Sequence, residues 1–171
     1  MSLHNPIERH KAVEKLVTRQ EPEGWQRKYY RFRPARWYGG IVTADCVGCG
    51  LLCRFCWVKD SVMLHPADSG KYYTAERVAN SLVSLSRRFG FRRLRVSGGE
   101  PAIGKMHLLG LLDRLRGKGL YFILETNGIP IAVEKGYAED LARFDFIHVR
   151  VSLKSCCEEG FSRLTGAKPE G

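Results

Sequence analysis

The sequence predicts an α/β fold in which a parallel βα repeat forms a partial TIM-like barrel. From residue 41 onward, short apolar segments typical of strands alternate with amphipathic segments typical of helices. This alternation predicts parallel strands with right-handed crossovers. The predicted strands alternate apolar and polar side chains, whereas a sheet covered by helices on both faces is apolar throughout. We therefore expect a curved sheet with helices outside and a polar cavity inside, with an open doubly wound sheet as the other option.

Length and composition are those of a globular protein. The chain has 171 residues, of which 44% are hydrophobic, enough for one domain with a sizeable core. It has no apolar run long enough to cross a membrane, and its N-terminus lacks the apolar segment of a signal peptide. These features predict a cytoplasmic protein, in which clustered cysteines bind metals or take part in catalysis. The net charge of +10 favours anionic partners or reflects only a basic surface.

The N-terminal segment reads as a helix followed by a basic and aromatic lead-in. Residues 4–17 have the spacing of an amphipathic helix, and residues 26–40 (QRKYYRFRPARWYGG) interleave basic and aromatic side chains. The second pattern fits a nucleic-acid site, and equally an extended lead-in with its aromatics against the body and its arginines in water. Pro34 favours irregular or edge structure. We expect residues 1–36 to form this lead-in and residues 37–171 to form the βα core.

Four strands and their connecting helices are expected in the core. The predicted strands are residues 41–44, 93–97, 121–125 and 146–153. The predicted helices are residues 74–89 with Thr74 as N-cap, a segment from Leu108 to Leu115, a segment from Val133 to Phe144, and a short helix near Glu158. On the second and fourth strands the polar face is basic. Arg95, His148 and Arg150 are expected to line the cavity and receive an anionic group.

The stretch from Cys46 to Trp57 (CVGCGLLCRFCW) predicts a soft metal centre. Cys49, Cys53 and Cys56 follow the spacing C-x3-C-x2-C, and disulfides across such short spacings would be strained. An iron–sulfur cluster or zinc would take up the charge of the thiolates. Counting Cys46 gives C-x2-C-x3-C-x2-C, which could ligate all four corners of a cluster or bind zinc. We interpret Cys46 as a spare thiol.

Two further cysteines, Cys156 and Cys157, are adjacent in the sequence near the end of the fourth strand. Adjacent cysteines do not easily bridge each other. We interpret both as ordinary thiols rather than as metal ligands.

Each predicted strand ends in residues that are unusual for a plain connection. The second is followed by Gly98-Gly99-Glu100-Pro101, the third runs into Glu125-Thr126-Asn127-Gly128, and the fourth ends in Ser152-Leu153-Lys154-Ser155. The carboxyl ends of parallel strands share one rim, where function gathers in such folds. A Gly-Gly pair lets the backbone approach a ligand closely. One such end is weak evidence, but four on one rim indicate a site.

These motifs, in this order, resemble the radical S-adenosylmethionine (radical SAM) superfamily. The resemblance covers about residues 37–164. It rests on Cys49-x3-Cys53-x-Phe55-Cys56, on Gly98-Gly99-Glu100-Pro101 and on the Ser152/Lys154 pair. The segment from Glu125 to Gly128 is similar to that of the activating enzymes of glycyl-radical enzymes such as pyruvate formate-lyase. The family's core has two further βα units, so the resemblance implies a partial core.

The resemblance implies an enzyme that cleaves S-adenosylmethionine reductively to a 5′-deoxyadenosyl radical, which abstracts hydrogen from an unknown substrate. It implies a [4Fe–4S] cluster bound by Cys49, Cys53 and Cys56, with one iron left for S-adenosylmethionine. By the same resemblance Gly98, Gly99 and Glu100 hold the methionine amino group. Glu125, Ser152 and Lys154 hold its carboxylate or ribose, and Phe55 lies by the adenine. An electron donor such as flavodoxin or ferredoxin is implied, and a protein or an anionic substrate is compatible with this interpretation.

A binding module is the alternative function. An iron–sulfur electron carrier, or a zinc-binding module attached to nucleic acid through residues 26–40, would also use clustered cysteines. Neither predicts the Gly-Gly-Glu-Pro motif. The two functions differ in one observation, since only the radical enzyme releases 5′-deoxyadenosine from S-adenosylmethionine.

Overall fold

The computed structural model describes residues 3–169, which form one mixed sheet with helices packed on it. The strands are β1 (Thr18–Glu21), β2 (Gly24–Ala35), β3 (Ile41–Cys46), β4 (Lys71–Thr74), β5 (Arg93–Gly98), β6 (Tyr121–Thr126) and β7 (Ile147–Val151). The helices are α1 (Pro6–Val17), α2 (Asp60–Leu64), α3 (Ala75–Phe89), α4 (Lys105–Leu115), α5 (Ile129–Val133), α6 (Tyr137–Ala142) and α7 (Glu158–Thr165). No helix within this range has the length and hydropathy needed to span a membrane.

The parallel βα core has the predicted architecture. Strands β3, β5, β6 and β7 are parallel neighbours in that order, so the predicted α/β half-barrel is confirmed. Helices α3 and α4 pack on the sheet through Leu82, Leu111 and Leu112, which are buried against Leu94 and Phe122. As predicted, the side chain of Thr74 caps α3 by accepting a hydrogen bond from the amide of Arg77. The core therefore lies between the outer helices and one face of the sheet.

Residues 26–35 are extended, as one of the two interpretations of this segment expected, but they form most of the regular strand β2 instead of irregular or edge structure. This strand is antiparallel to β3 and also pairs with β1 and β4. The expectation that its arginines lie in water was wrong for Arg27, which is 1% exposed, and its neighbour Lys28 is buried as well. Pro34 is tolerated because that part of β2 pairs with β3 alone within the described residues.

Two further expectations differ from the structure. The helix predicted from Val133 to Phe144 is shortened to α6, which begins after Gly136, where the backbone has a left-handed φ of 73°. The separate helix α5 ends at Val133, where the predicted helix was expected to begin. On the fourth strand, Val149 and Val151 were expected to face the helices. Both are exposed, and Leu153 beyond β7 is 86% exposed. Among residues 3–169 this strand pairs with β6 alone, and Val151 lines the cavity instead of packing under a helix.

Candidate active site

The carboxyl ends of the parallel strands surround a cavity of about 360 Å³. All ten residues that the sequence singled out as ligands line it: Cys49, Cys53, Phe55, Cys56, Gly98, Gly99, Glu100, Glu125, Ser152 and Lys154. The rim position follows from the fold, since strands that run in the same direction end at the same edge. The structure therefore brings together side chains from four separate strand ends.

The three cysteines of the C-x3-C-x2-C motif all face this cavity as free thiols. Cys49 and Cys53 are partly buried, whereas Cys56 is exposed. Burial, together with the charge of Glu100, raises the pKa of Cys49 to about 12. The raised pKa favours the protonated thiol of Cys49. A bound iron centre would instead favour the thiolate, because a metal ion deprotonates the thiols that coordinate it. The donor set of three soft thiolates at one cavity fits an iron–sulfur cluster.

Cys46 does not line the cavity. Its side chain is 0% exposed and packs in the hydrophobic core with Val42 and Ala44. Burial raises the pKa of this thiol, which is typical of an inert core cysteine. This placement separates Cys46 from the other three thiols and supports its interpretation as a spare residue.

The two glycines after β5 bring the backbone close to the cysteine loop. The amide of Gly99 donates to the carbonyl of Cys46 at 2.8 Å, and the amide of Glu100 donates to the carbonyl of Gly48 at 2.7 Å. A Cβ atom on Gly99 would overlap the Gly48 carbonyl oxygen. Gly98 has a left-handed φ of 89°. The glycines thus permit the close contact of two loops, a role that the sequence had not indicated.

The Glu100 carboxylate is buried and fully hydrogen-bonded within the protein. It accepts from the amide of Ala102 at 2.9 Å, the hydroxyl of Thr126 at 2.6 Å and the amide of Asn127 at 2.7 Å. Burial raises the pKa of Glu100, and these three donors oppose that shift. Glu100 therefore joins the loop after β5 to the loop after β6, and its contact with S-adenosylmethionine stays a prediction.

Glu125 lies at the centre of a charged network on the inner face of the sheet. Its carboxylate pairs with Arg95 at 3.0 Å and Arg150 at 3.1 Å, and it accepts from the hydroxyl of Tyr38 at 2.6 Å. Two guanidinium groups share one carboxylate, so the network keeps a net positive charge. Arg150 lines the cavity as expected, whereas His148 is exposed and is not among the residues that line it.

Phe55, Ser152 and Lys154 lie together at the cavity. The Lys154 ammonium donates to the Ser152 hydroxyl at 2.8 Å and stands 5.9 Å from the centre of the exposed Phe55 ring. An aromatic face beside a cation is a suitable surface for a flat, polar ligand. The geometry is compatible with the predicted adenine contact of Phe55.

Two residues that shape the site, Asn127 and Arg27, were not among those predicted from the sequence. The side-chain amide of Asn127 donates to the Cys49 sulfur at 3.5 Å, and its position directly after the strand end was the available signal. Arg27 donates to the carbonyls of Val47 and Glu100, behind the cysteine loop. Nothing in the basic segment distinguishes this buried arginine from its exposed neighbours.

A second cavity, of about 580 Å³, adjoins the first on the inner face of the sheet. It shares Trp57, Ser97 and Glu125 with the first cavity. Its remaining lining is aromatic and basic: Arg33, Trp37, Tyr38 and Arg95. The half-barrel therefore contains room for a larger ligand beside the cysteine loop.

A parallel half-barrel with three thiols and a Gly-Gly-Glu loop on its carboxyl rim defines the class of radical enzymes that use S-adenosylmethionine. The chain belongs to the radical SAM superfamily, whose family profile matches residues 45–170. Members of this superfamily generally use a [4Fe–4S] cluster and S-adenosylmethionine.

Two curated relatives illustrate the range of this similarity. A GTP 3′,8-cyclase from Paracoccus denitrificans is 32% identical over 120 residues, which are 68% of this chain and 33% of the relative. A putative glycyl-radical enzyme activating enzyme from Methanocaldococcus jannaschii is 25% identical over 125 residues, which are 72% of this chain and 43% of the relative. The chain thus spans less than half the length of these relatives, and the similarity does not single out the activating-enzyme branch.

A solved structure shows the same fold. The crystal structure of Streptococcus suis SuiB bound to the precursor peptide SuiA superimposes with a TM-score of 0.55 at 20% identity. The match covers 73% of this chain and 27% of that chain. It confirms the architecture of the half-barrel.

Proposed function

We propose that this chain is a radical SAM enzyme domain that binds a [4Fe–4S] cluster and S-adenosylmethionine. Cys49, Cys53 and Cys56 hold the cluster. The chain covers only part of the length of its relatives. What the whole protein acts on, and which partners it has, are therefore also proposals.

The observation that carries the proposal is the common cavity. Residues spread from Cys49 to Lys154 meet around one volume of about 360 Å³ at the carboxyl ends of parallel strands. An electron carrier with four cysteine ligands needs no such cavity, because its cluster is fully coordinated. Three thiols beside an open volume fit a cluster with one iron left for a further ligand.

The three thiols of the cavity are not gathered as closely as the ligands of one zinc ion. Ligand sulfurs of one tetrahedral zinc stand about 4 Å apart, because each Zn–S bond is about 2.3 Å long. Among residues 3–169, the group of side chains whose ligand atoms lie within 4.8 Å of one another consists of His10, Glu14 and Glu134, not of the cysteines. A cluster of four irons is larger than one ion, so its ligands stand further apart.

The other site residues position the ligands and control their charge. When bound, the reduced cluster would supply an electron and S-adenosylmethionine would supply a 5′-deoxyadenosyl radical. This radical is the species that would abstract hydrogen from a substrate. Asn127 donates to the Cys49 sulfur, which stabilises its thiolate. Ser152 and Lys154 present a hydroxyl and an ammonium to a carboxylate or ribose, and Phe55 offers an apolar face. The buried Glu100 fixes the two loops that carry these groups.

The substrate is expected to carry an anionic group. Arg95 and Arg150 face the adjoining cavities with a net positive charge, and the aromatic lining of the second cavity suits a flat or peptide-like ligand. Replacement of both arginines by alanine should weaken binding of such a substrate. Unchanged affinity for substrate and for S-adenosylmethionine in the double variant would contradict this part of the proposal.

The proposal is tested by anaerobic reconstitution and reduction in the presence of S-adenosylmethionine. The wild-type chain should bind about four irons and release 5′-deoxyadenosine, detected by chromatography. Cys53→Ala and Cys56→Ala should lose both properties. Cys157→Ala is the matched control, because this exposed thiol lies outside the lining of the cavity and should retain both.

Two outcomes would contradict the proposal. One is a purified protein that retains zinc and takes up no cluster. The other is release of 5′-deoxyadenosine at the wild-type rate by the Cys53→Ala variant.

A further inference from the structure

We propose that His10, Glu14 and Glu134 form a second, mononuclear site for a divalent first-row transition metal ion, separate from the cysteine centre. Each residue offers one ligand atom, and these atoms all lie within 4.8 Å of one another. The site joins α1 to the end of α5, on the connection that follows β6. It would fasten the N-terminal helix to the half-barrel.

The backbone brings the three side chains to one place. His10 and Glu14 are four residues apart on α1, so they lie on the same face of the helix. Glu134 is the C-cap residue of α5, directly after Val133. The Nε2 atom of His10 stands 3.9 Å from Oε1 of Glu134, too far for a hydrogen bond. Ligand atoms around one ion stand about 3–3.4 Å apart, so a small side-chain movement completes the site.

Burial without hydrogen bonds is the second observation that indicates a ligand. His10 is 2% exposed, and its Nδ1 atom has no hydrogen-bond partner. Oε1 of Glu134 is also buried without a partner. Buried polar atoms in native proteins are nearly always paired, since an unpaired one loses its interactions with water. A cation bound by Oε1 of Glu134 and by Nε2 of His10, the nitrogen 3.9 Å from it, would supply the interaction that this oxygen lacks.

The combined charge of His10, Glu14 and Glu134 fits a divalent cation. When both carboxylates are ionised and the imidazole is neutral, the three side chains together carry a charge of −2. Nearby Lys105 is engaged elsewhere, because its ammonium pairs with Asp140 at 2.9 Å and donates to the Lys135 carbonyl at 3.1 Å. Glu14 accepts from the amide of Gly104 at 3.1 Å through Oε1. A carboxylate has a second oxygen through which it can bind a metal at the same time.

The donor set indicates the class of metal. One imidazole nitrogen and two carboxylates suit Mn²⁺, Fe²⁺ and Zn²⁺, whereas thiolates select an iron–sulfur cluster. The two sites are close in the fold, since α1 packs against the cysteine loop where the Cβ atom of His10 faces Gly50. A metal on α1 would therefore also restrain the loop that carries Cys49 and Cys53.

The test is a titration of the iron–sulfur-loaded protein with Mn²⁺. The electron paramagnetic resonance signal of the free ion measures how much Mn²⁺ stays unbound at each step. Cluster loading occupies the cysteines, and Mn²⁺ prefers oxygen and nitrogen ligands. Wild-type protein should bind one Mn²⁺ per chain. Glu134→Gln and Glu14→Gln should each weaken this binding at least about tenfold.

Glu139→Gln is the matched control, because Glu139 is exposed on α6, five positions after Glu134 in the sequence, and should leave the affinity unchanged. Both ligand variants replace a carboxylate by an amide of the same shape, and the side-chain amide oxygen introduced by Glu14→Gln can still accept from Gly104. Circular dichroism checks that each variant is folded. Absence of saturable binding, or equal affinity in the folded wild type and both ligand variants, would overturn the proposal.

Discussion

His107 is a buried histidine whose neutral form is built into the packing of α4 against β2. Its Nδ1 atom lies 3.1 Å from the carbonyl of Trp25 and its Nε2 atom 3.1 Å from the hydroxyl of Tyr29. A carbonyl only accepts, so Nδ1 carries the proton and Nε2 accepts from Tyr29. Burial lowers the pKa of His107 from 6.5 to about 4.

This shift makes the stability of the fold depend on pH. The unfolded chain binds a proton on His107 below about pH 6.5, whereas the folded chain does so only below about pH 4. The stabilisation is therefore present above pH 6.5 and is lost as the pH falls towards 4, by up to about 3 kcal/mol. Urea unfolding of wild type and His107→Gln at several pH values measures it. The wild type should lose more stability over this window, and parallel pH profiles would contradict the assignment.

The side chains of the site could be named from the sequence, but their contacts could not. Glu100 and Glu125 could be named because each lies in a short motif at the end of a predicted strand. The sequence does not contain the three donors to Glu100 or the arginines on Glu125, since these come from other strands. The burial of Arg27 was missed because a basic segment gives no sign of which side chain turns inward.

At the scale of elements, the cysteine loop and the loop after β5 behave as one unit. Two backbone hydrogen bonds join them, and the absence of a side chain at Gly99 allows their contact. We expect Gly99→Ala to push the cysteine loop out of position, because its new Cβ atom would overlap a backbone carbonyl rather than a movable side chain.

Gly99→Ala should therefore lower both the iron content after reconstitution and the urea midpoint, with a loss of about 1–3 kcal/mol in the free energy of unfolding. Gly110→Ala in α4 is the control, since its Cβ atom would make ordinary contacts at 3.5 Å and helical alanine is favourable. Wild-type iron content and stability in Gly99→Ala would show that the two loops move independently.

The parallel elements were predictable and the antiparallel ones were not. Apolar periodicity and turn residues identified β3, β5, β6 and β7, because each repeats the same strand-to-helix pattern. Strands β1 and β4 have four residues each and too few apolar positions to show a period. Their conformation depends on pairing with β2, which is a tertiary interaction.

At the scale of the whole molecule, β7 leaves one edge of the sheet without a strand partner among residues 3–169. Val149 and Val151 on this strand are exposed, as is Leu153 just beyond it. Such an edge is a template for pairing with another chain. We expect this chain to form dimers through β7 at high concentration.

Val149→Lys should shift the chain to the monomer in gel filtration, because a charge on an edge strand opposes pairing. Leu16→Lys, on an exposed position of α1, is the control and should leave the dimer intact. A wild-type chain that elutes as a monomer at every concentration would contradict the prediction.

The half-barrel as a whole followed from the sequence, but its cavities did not. The order of strands and helices predicts the curvature of the sheet and the rim on which the motifs meet. The adjoining cavity depends on Trp37 and Tyr38, whose position relies on a left-handed backbone at Tyr38 with a φ of 57°. No local pattern predicts that conformation for a tyrosine.

We infer that Cys49, Cys53 and Cys56 hold a cluster with one iron open to S-adenosylmethionine, whereas Cys46 belongs to the core. The most direct test is the electron paramagnetic resonance spectrum of the reduced cluster in Cys46→Ser, before and after addition of S-adenosylmethionine. We predict that this variant keeps about four irons per chain and that its spectrum changes on addition of S-adenosylmethionine, as in wild type, while Cys49→Ser loses the cluster. Loss of the cluster in a folded Cys46→Ser variant, or a spectrum that S-adenosylmethionine leaves unchanged, would contradict the account.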